Sequence, residues 1–457
     1  MLLFLQHLFL YNINLKTSIT YKDIWVLSLP IIIGSIAQNI INVTDTAFLG
    51  RVGQIELGAG AIAGMFYYAI TMLGWGFGVG AQIIIARRFG EGNINKIGQV
   101  VGQSVFFLIP LALSVWLLMF FGGESIFNII LKSPNIAQAS TEYMDIRIFG
   151  IFFVVINYLY RALHLGIGRT KIIIYTTIVM AIVNVGLDYV LIFGKFGFEP
   201  MGIRGAAIAS VAAEVAALIY FIIYTYIKLP IKEYHLFQFK GVDFKKMLEI
   251  LKVAFPVMIQ NFVAISGWFV FFLLIEHLGE LPIAVSNVIR SIYIVILIPI
   301  MGFSSATNTL VSQEIGRGNS NNIINLIHKI SVLSVVSIFA IVIFSVTFPY
   351  EIMRIYTNDL EIIKAGVPIL YTISGASILL SISVILFNGV SGTGSTKKAF
   401  IIESTTIVIY LFYVYSIANF TNSTITTIWT SEYIYAIFLG GISYWYLRKG
   451  KWHGKKV

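Results

Sequence analysis

The sequence predicts an all-α membrane protein with twelve transmembrane helices, arranged as two six-helix bundles. Two observations indicate this fold class: long apolar segments recur along the chain, and the second half repeats motifs of the first. Of the 457 residues, 58% are hydrophobic and 11% are charged, whereas soluble proteins carry about 25% charged residues. A soluble fold of this length could not bury so much apolar surface. Cytosolic enzymes, secreted disulfide-linked proteins and disordered chains are therefore excluded.

Twelve apolar segments are long enough to cross a bilayer, which requires roughly 20 helical residues. They run approximately over residues 25–49, 57–85, 97–121, 140–164, 171–194, 204–228, 250–276, 283–311, 323–349, 365–389, 398–419 and 424–447. The predicted organisation is an N-terminal tail (1–20), a first bundle (21–228), a cytoplasmic linker (229–249), a second bundle (250–449) and a basic C-terminal tail (450–457).

The basic residues predict which side of the membrane each loop faces. With the N-terminus inside, 23 Lys and Arg lie on the inner side and 7 on the outer side, and an excess of positive charge marks cytoplasmic loops. Both termini are therefore expected in the cytoplasm. The net charge of +10 suits the anionic membrane surface rather than nucleic acid. The composition and short loops are typical of a bacterial inner membrane protein.

The chain repeats itself at a constant shift of 226 residues. The repeated pairs are Pro30 with Pro256, Gly53 with Gly279, Gly76-Phe77 with Gly302-Phe303, Gly90 to Asn93 with Gly316 to Asn319, and Gly168 to Lys171 with Gly394 to Lys397. A shift of six spans gives parallel halves related by a pseudo-two-fold axis along the membrane normal, as in transporters whose halves rock around a central cavity. Because the symmetry is internal, a monomer is expected.

Candidate cation-coupling residues lie on the first predicted span. Gln38, Asn42 and Asp45 are spaced i, i+4 and i+7, so they share one helix face. A carboxylate within the bilayer costs about 2.5–3.5 kcal/mol on insertion scales, and such residues usually face a polar interior. We therefore expect this face to line the interior of the first bundle.

A second candidate set lies on the fourth and fifth spans. Asn184 and Asp188 are spaced i, i+4 on the fifth span, and Asn157 lies on the fourth. Carboxylate and amide oxygens are ligands for a hard cation such as Na⁺, so Asp45, Asn184 and Asp188 are candidate Na⁺ ligands. Paired carboxyls can equally exchange protons, so both ions stay open. The structural alternative is that these side chains only join helices by hydrogen bonds.

Pro30 is a candidate hinge. A proline inside a helix removes a backbone hydrogen bond and permits a kink, so ion binding at Asp45 could change the bend of the first span. In the alternative interpretation, Pro30 merely opens the helix near its first turn.

Five residues near the expected cavity are candidates for substrate contact: Tyr67, Tyr68, Phe153, Tyr158 and Glu214. Aromatic rings can stack on cationic drugs, although ordinary packing explains each ring as well. Glu214 lies among alanines, which suits a structural role in close packing. The sequence assigns no role to Glu276, Glu403 or Arg290.

The sequence gives no sign of an enzyme or of a cofactor other than a transported ion. Cysteine is absent, and the six histidines have no metal-ligand spacing. The glycines from Gly74 to Gly80 lie inside an apolar span, where close helix packing is expected. The segment from Gly389 to Lys397 has phosphate-loop residues in the wrong order, because the Lys must precede Ser or Thr.

The repeated motifs resemble the multidrug and toxic compound extrusion (MATE) family over nearly the whole chain. The motifs are Pro30 followed by Gln38, Asn42 and Asp45-Thr46-Ala47-Phe48-Leu49-Gly50, then Ala86-Arg87-Arg88-Phe89-Gly90-Glu91-Gly92-Asn93 and its counterpart from Gln313 to Asn319. The resemblance implies export of amphipathic, often cationic drugs in exchange for H⁺ or Na⁺. With Asp45 and Asp188 in the first half and no acid in the middle of span 10, the chain is more similar to the DinF-like branch.

Two other functions fit the same architecture. One is a flippase for lipid-linked saccharides, which would need a strongly basic cavity for an anionic headgroup; the charges within the spans are mainly acidic. The other is an intramembrane transferase, which would need an acid/base cluster or a metal site at a membrane face. Small amphipathic molecules and the lipid bilayer are therefore the expected partners, and nucleic acid is not.

Overall fold

The chain is helical throughout the residues described by a computed structural model, which are 19–238, 241–420 and 424–455. The helices are α1 (Tyr21–Val52), α2 (Gln54–Gly90), α3 (Ile97–Ile130), α4 (Pro134–Arg147), α5 (Ile151–Gly166), α6 (Lys171–Phe193), α7 (Gly202–Lys228), α8 (Ile231–Tyr234), α9 (Phe244–Glu276), α10 (Glu280–Gly316), α11 (Ile323–Thr347), α12 (Pro349–Tyr356), α13 (Leu360–Gly392), α14 (Thr396–Phe420), α15 (Ile425–Trp429) and α16 (Ser431–Lys449). The predicted N-terminal tail lies almost entirely outside the described residues.

The all-helical prediction is confirmed. Within the described ranges, eleven helices are long and apolar enough to cross a membrane, with α4 and α5 counted as one span. The twelfth predicted span coincides with α15 and α16. Its hydropathy is lower because α16 carries Glu432 in its first turn and Arg448 and Lys449 in its last.

The two halves repeat their helices as well as their motifs. α2 and α10 both contain 37 residues, and α4 begins at Pro134 while α13 begins 226 residues later at Leu360. Between the halves, α9 begins at Phe244 because Asp243 caps its N-terminus by accepting a hydrogen bond from the Lys246 amide at 3.2 Å. The last residues of the predicted linker are therefore already helical.

One departure from symmetry lies in the fourth span. In the first half this span breaks into α4 and α5 at a 3-10 turn, Ile148–Gly150, whereas α13 is continuous in the second half. Gly150 lies against the side chains of Arg147, Glu214 and Tyr67, so a Cβ there would collide with them. The break thus occurs where polar side chains crowd the interior of the first half.

The halves meet where the ends of α2 and α10 cross, a region we call the closed end. Gly90 of α2 lies against the backbone carbonyl of Gln313. Its repeat-mate, meaning the residue 226 positions later, is Gly316 of α10, which lies against the carbonyl of Arg87. A Cβ at Gly316 would sit 2.5 Å from the Arg87 oxygen. Repeat-mate glycines therefore permit a backbone contact that follows the pseudo-two-fold axis.

Side chains fasten the closed end by crossing between the halves. Gln82 Nε2 donates to the Ser305 carbonyl at 3.0 Å and to Thr309 Oγ1 at 2.9 Å, and Thr309 Oγ1 donates to the Leu165 carbonyl at 3.1 Å. Gln313 Nε2 donates to the Gly166 carbonyl at 2.7 Å, and Arg87 donates to the Thr393 carbonyl from Nη2 and to the Lys455 carbonyl from Nη1, each at 3.1 Å. Arg87 and Gln313 are repeat-mates, so at this position each half donates a side-chain hydrogen bond to a backbone carbonyl of the other.

The glycine-rich run of α2 packs against the first helix of the second half. A Cβ at Gly76 would lie 2.6 Å from Met258 Cα, and one at Gly80 would collide with Ala254. Close helix packing, as predicted from the sequence, is therefore the role of these glycines.

Alanine at Gly90 is expected to loosen the closed end, because its Cβ would displace the Gln313 carbonyl. The reporter is a cysteine at Thr309, which is fully buried, in a chain that otherwise contains no cysteine. Maleimide labelling of Thr309→Cys in detergent should be at least tenfold faster when Gly90→Ala is added. Gly441→Ala is the matched control, because no atom lies within 4 Å of an added Cβ there. Equal labelling in all three backgrounds would contradict the role assigned to Gly90.

Candidate functional site

Two carboxyl groups face each other inside the first half, one from α1 and one from α6. The Asp45 side chain lies within interaction range of Asp188 and Asn184. Asp188 is fully buried and Asn184 is nearly so, while Asp45 is half-buried. The structure thus brings together the three residues that the sequence analysis singled out as candidate Na⁺ ligands.

These side chains carry oxygens that no protein group satisfies. Asp45 Oδ1, Asn184 Oδ1 and both carboxyl oxygens of Asp188 are buried without a hydrogen-bond partner among the described residues. Buried polar atoms in proteins are nearly always paired, and adjacent like charges are unfavourable unless a proton or a cation neutralises them. The donor set consists only of oxygens, which fits H⁺ or a hard cation such as Na⁺.

The other predicted members of the cluster lie elsewhere. Asn42 is exposed and Gln38 is half-buried, and neither side chain makes a hydrogen bond within the described ranges. Asn157 donates from Nδ2 to the backbone carbonyl of Glu214 at 2.9 Å, which ties α5 to α7. The carboxyl pair therefore has Asn184 as its amide neighbour.

A buried ion pair occupies the interior beside this site. The two Arg147 amino groups bind the two Glu214 carboxylate oxygens at 2.5 and 3.0 Å, in the bidentate geometry that strengthens such pairs. The guanidinium lies over the Tyr67 ring at 3.8 Å, and Tyr67 Oη donates to Glu214 at 3.3 Å. Arg147 also acts on Asp45 by charge. Glu214 and Tyr67, both predicted as substrate contacts, are therefore bound to Arg147 and to each other in the protein interior.

Arg147 is one of the seven basic residues that the sequence analysis counted as lying on the outer side, and its expected position in a loop is wrong. It is only 9% exposed and lies at the C-terminal end of α4, where the 3-10 turn directs it inward. A signal was present in the sequence, because Arg147 falls inside the predicted span 140–164. An arginine within a span usually pairs with an acid in the protein interior.

The remaining aromatic candidates are accessible to different degrees. Tyr68 is 55% exposed, whereas Phe153 and Tyr158 are half-buried. Tyr158 packs edge-on against Trp75 with ring centroids 5.3 Å apart, and the Arg161 guanidinium lies 5.0 Å from the Trp75 ring.

Pro30 lies inside α1, nine residues after the helix begins at Tyr21. The interpretation that Pro30 opens the helix in its first turn is therefore wrong. The proline is buried, and as an interior proline it leaves one backbone carbonyl of α1 without its usual amide partner.

Comparison with known families agrees with this arrangement. The family model MatE matches the chain twice, over residues 30–190 and 256–416. The chain belongs to the MatE family. The two matches are offset by the same 226 residues as the repeated motifs, so each half of this MatE protein is one copy of the family unit.

Named relatives and solved structures extend the comparison. This MatE chain is 29% identical over 309 residues to a probable multidrug resistance protein NorM of Agrobacterium fabrum, covering 66% of this chain and 65% of the relative. It is 27% identical over 388 residues to a protein of the same name from Thermotoga maritima, covering 83% and 82%. A solved structure described as the outward-facing conformation of a multidrug resistance MATE family transporter superposes with a TM-score of 0.87 at 20% identity, covering 94% of this chain and 95% of that one. That likeness establishes the MATE fold.

Removing Arg147 from this MatE protein should be strongly destabilising. Arg147→Met leaves Glu214 as a buried charge without a partner, which typically costs about 3–5 kcal/mol. The control is Lys246→Met, which breaks the exposed Lys246–Asp243 pair (3.6 Å apart) and should cost at most about 1 kcal/mol. Unfolding in detergent by titration with SDS measures both variants. If Arg147→Met lowers the free energy of unfolding no more than Lys246→Met does, the Arg147–Glu214 ion pair does not stabilise the interior of the first half.

Proposed function

We propose that this protein is a secondary active exporter that exchanges H⁺ or Na⁺ for amphipathic, often cationic small molecules. The observation that carries the proposal is the Asp45–Asp188 pair inside the first half of a MatE family chain, where Asp45 Oδ1 and both Asp188 carboxyl oxygens accept no hydrogen bond from the residues that the structure describes. Relatives named as multidrug resistance proteins support the cargo class. The protein acts as a monomer in a bacterial inner membrane, with both termini in the cytoplasm.

Coupling follows from the electrostatics of the pair. Two adjacent carboxylates repel each other until a proton or a cation neutralises part of their charge. Loading from the outside therefore changes the forces between α1 and α6, the helices that carry Asp45 and Asp188. Arg147 adds a nearby positive charge that is itself neutralised by Glu214, so it cannot complete the neutralisation of the aspartates.

Alternating access follows from the closed end. The inner-side excess of basic residues places the crossing of α2 and α10 at the cytoplasmic face, and the structural neighbour described as outward-facing supports this orientation. To open inward, the halves must release the hydrogen bonds made by Gln82, Arg87 and Gln313. Rocking about the pseudo-two-fold axis breaks them together.

Pro30 links the ion site to the shape of the first half. It interrupts the hydrogen bonding of α1 about four turns before Asp45, so α1 can bend there when the charge on Asp45 changes. Tyr68, which is exposed, and Phe153 and Tyr158, which are half-buried, are the substrate contacts in this proposal.

Neutral amides at either aspartate should abolish ion-driven export. In everted membrane vesicles, whose cytoplasmic face points outward, a fluorescent organic cation is added to the bath and its uptake is measured under either a pH gradient or a Na⁺ gradient directed out of the vesicle. The wild type should respond to one gradient, and Asp45→Asn and Asp188→Asn should each lower the gradient-driven rate at least tenfold. Glu361→Gln, at an exposed position near the start of α13, is the control and should retain the wild-type rate.

Each alternative result has a defined meaning. A wild type that responds to neither gradient overturns ion-coupled export; the next assay is then flipping of a lipid-linked saccharide, the competing function. If the two asparagine variants export at the wild-type rate, coupling does not involve this pair.

Replacing Pro30 should slow transport without removing ion binding. Pro30→Ala restores the backbone hydrogen bond and favours a straight α1, because alanine is about 3 kcal/mol better than proline in a helix interior. We expect at least a threefold lower export rate, with protection of the protein by the coupling ion against thermal unfolding unchanged. Pro368→Ala, at an interior proline of α13 in the second half, is the matched control. Equal rates for Pro30→Ala and the wild type would remove the hinge from the mechanism.

A further inference from the structure

The segment that follows α16 folds back over the closed end. Residues 450–455, which we call the tail, contain a turn in which the Lys455 amide donates to the Trp452 carbonyl at 3.3 Å and Gly454 has a φ of +71°. Trp452 is only 1% exposed, and its Nε1 donates to the Leu447 carbonyl at 2.9 Å. Complete burial is uncommon for a tryptophan, so the tail is held in a defined place rather than extended into solvent.

The buried ring belongs to a core that both halves share. Trp452 lies in one core cluster with Ile24 and Leu27 of α1 and with residues of α10, α11 and α13. On the same side, Lys329 Nζ of α11 donates to the Ile19 carbonyl, just before α1, at 3.0 Å. The beginning of the first half and the tail are therefore parts of one apolar core at the closed end.

The tail also supplies an acceptor for Arg87, the first-half arginine of the closed end. Arg87 Nη2 donates to the Thr393 carbonyl and Nη1 to the Lys455 carbonyl, each at 3.1 Å. Lys455 Nζ in turn donates to the Gly394 carbonyl at 3.0 Å. Arg87 is only 3% exposed and forms no ion pair with the described residues. Carbonyl oxygens of the tail and of the turn after α13 therefore hold its guanidinium.

This arrangement gives a role to the segment from Gly389 to Lys397, whose phosphate-loop residues stand in the wrong order. The segment ends α13 and presents backbone carbonyls at a helix C-terminus, where the helix dipole favours positive charge. Its repeat-mate, the turn after α5, presents the Leu165 and Gly166 carbonyls to Thr309 and Gln313 of the second half. On the turn after α13 the donor is a charged arginine, and the tail covers it.

We propose that the tail is a clasp that holds the closed end shut, anchored by Trp452 and bound to Arg87 through the Lys455 carbonyl. This inference rests on the alternating access proposed above. Because Lys455 binds a turn of the second half while Arg87 belongs to the first, inward opening must separate Arg87 from the tail. Burial and the positive charges of Arg87 and Lys398 lower the pKa of Lys455. Like charges thus oppose the contact, which keeps the clasp releasable.

Thiol labelling of the full chain tests the clasp, with Thr309→Cys as the buried reporter of the closed end. Trp452→Ala should speed maleimide labelling of this reporter at least tenfold, and Lys455→Met, which removes the side-chain bond between the tail and the second half, at least threefold. The control is Lys451→Met, which removes an exposed lysine of the same tail and should leave the rate unchanged. A second reporter, Ser140→Cys, is fully buried near the start of α4, at the opposite end of the bundle, and should label equally in every background.

Two results would overturn the proposal. Equal labelling of Thr309→Cys in the Trp452→Ala, Lys455→Met and Lys451→Met backgrounds would show that the tail does not hold the closed end. Equal acceleration at Thr309→Cys and Ser140→Cys would show that the substitutions loosen the whole fold. If Trp452→Ala does not fold, Lys455→Met still decides the question, because it opens no cavity in the core. Labelling needs no ion gradient, so failure here is distinct from failure of export.

Discussion

Charge neutralisation in a low-dielectric interior is the constraint on which the rest of this structure depends. A carboxylate removed from water needs an opposite charge, a proton or strong hydrogen bonds. Glu214 has Arg147 on two oxygens, Glu432 has two tyrosine hydroxyls, and Asp188 has no protein donor in the described chain. The three acids thus range from one that is paired with a charge to one whose oxygens no described donor reaches.

Duplication supplied the architecture of this protein but not its chemistry. The closed end uses repeat-mates in equivalent ways: Gly90 with Gly316 at the crossing, and Arg87 with Gln313 as donors. Buried acids do not follow the repeat, since Glu214 is matched by a glycine and Ile373 stands where the first half has Arg147. Packing contacts between the halves stay alike because they lie on the pseudo-two-fold axis that relates the halves. Their interiors can differ, because each cavity is enclosed by its own helices.

Much of the fold was predictable because lipid imposes a simple rule on composition. Apolar segments of sufficient length gave the spans, and the spacing of Gly and Pro gave the repeat. The site was only partly predictable. Residues spaced i, i+4, i+7 share one face of a helix. Spacing alone does not tell whether that face points to lipid or to the protein interior, because both surroundings are apolar. The expected inward position of Asn42 was therefore not secured by its spacing, and the residue is exposed. Arg147 was assigned to the wrong place because a count of basic residues assumes that they lie in loops. Glu432 was not identified as a buried acid because it lies near a polar loop in the sequence.

Hydrogen bonds supply only part of the strength of the closed end. Net hydrogen-bond contributions of about 0.5–1.5 kcal/mol each give roughly 3–9 kcal/mol for the six closed-end bonds that cross between the halves in the described residues. Reversing a two-state equilibrium from 1:99 to 99:1 requires about 5.5 kcal/mol. Apolar packing between the halves adds to this contribution, because Ala254 and Met258 of α9 belong to one core cluster with residues of α2, and Ile24 and Leu27 of α1 belong to another with residues of the second half. In the exporter proposed above, opening the closed end therefore requires these apolar contacts to repack as well as the hydrogen bonds to break.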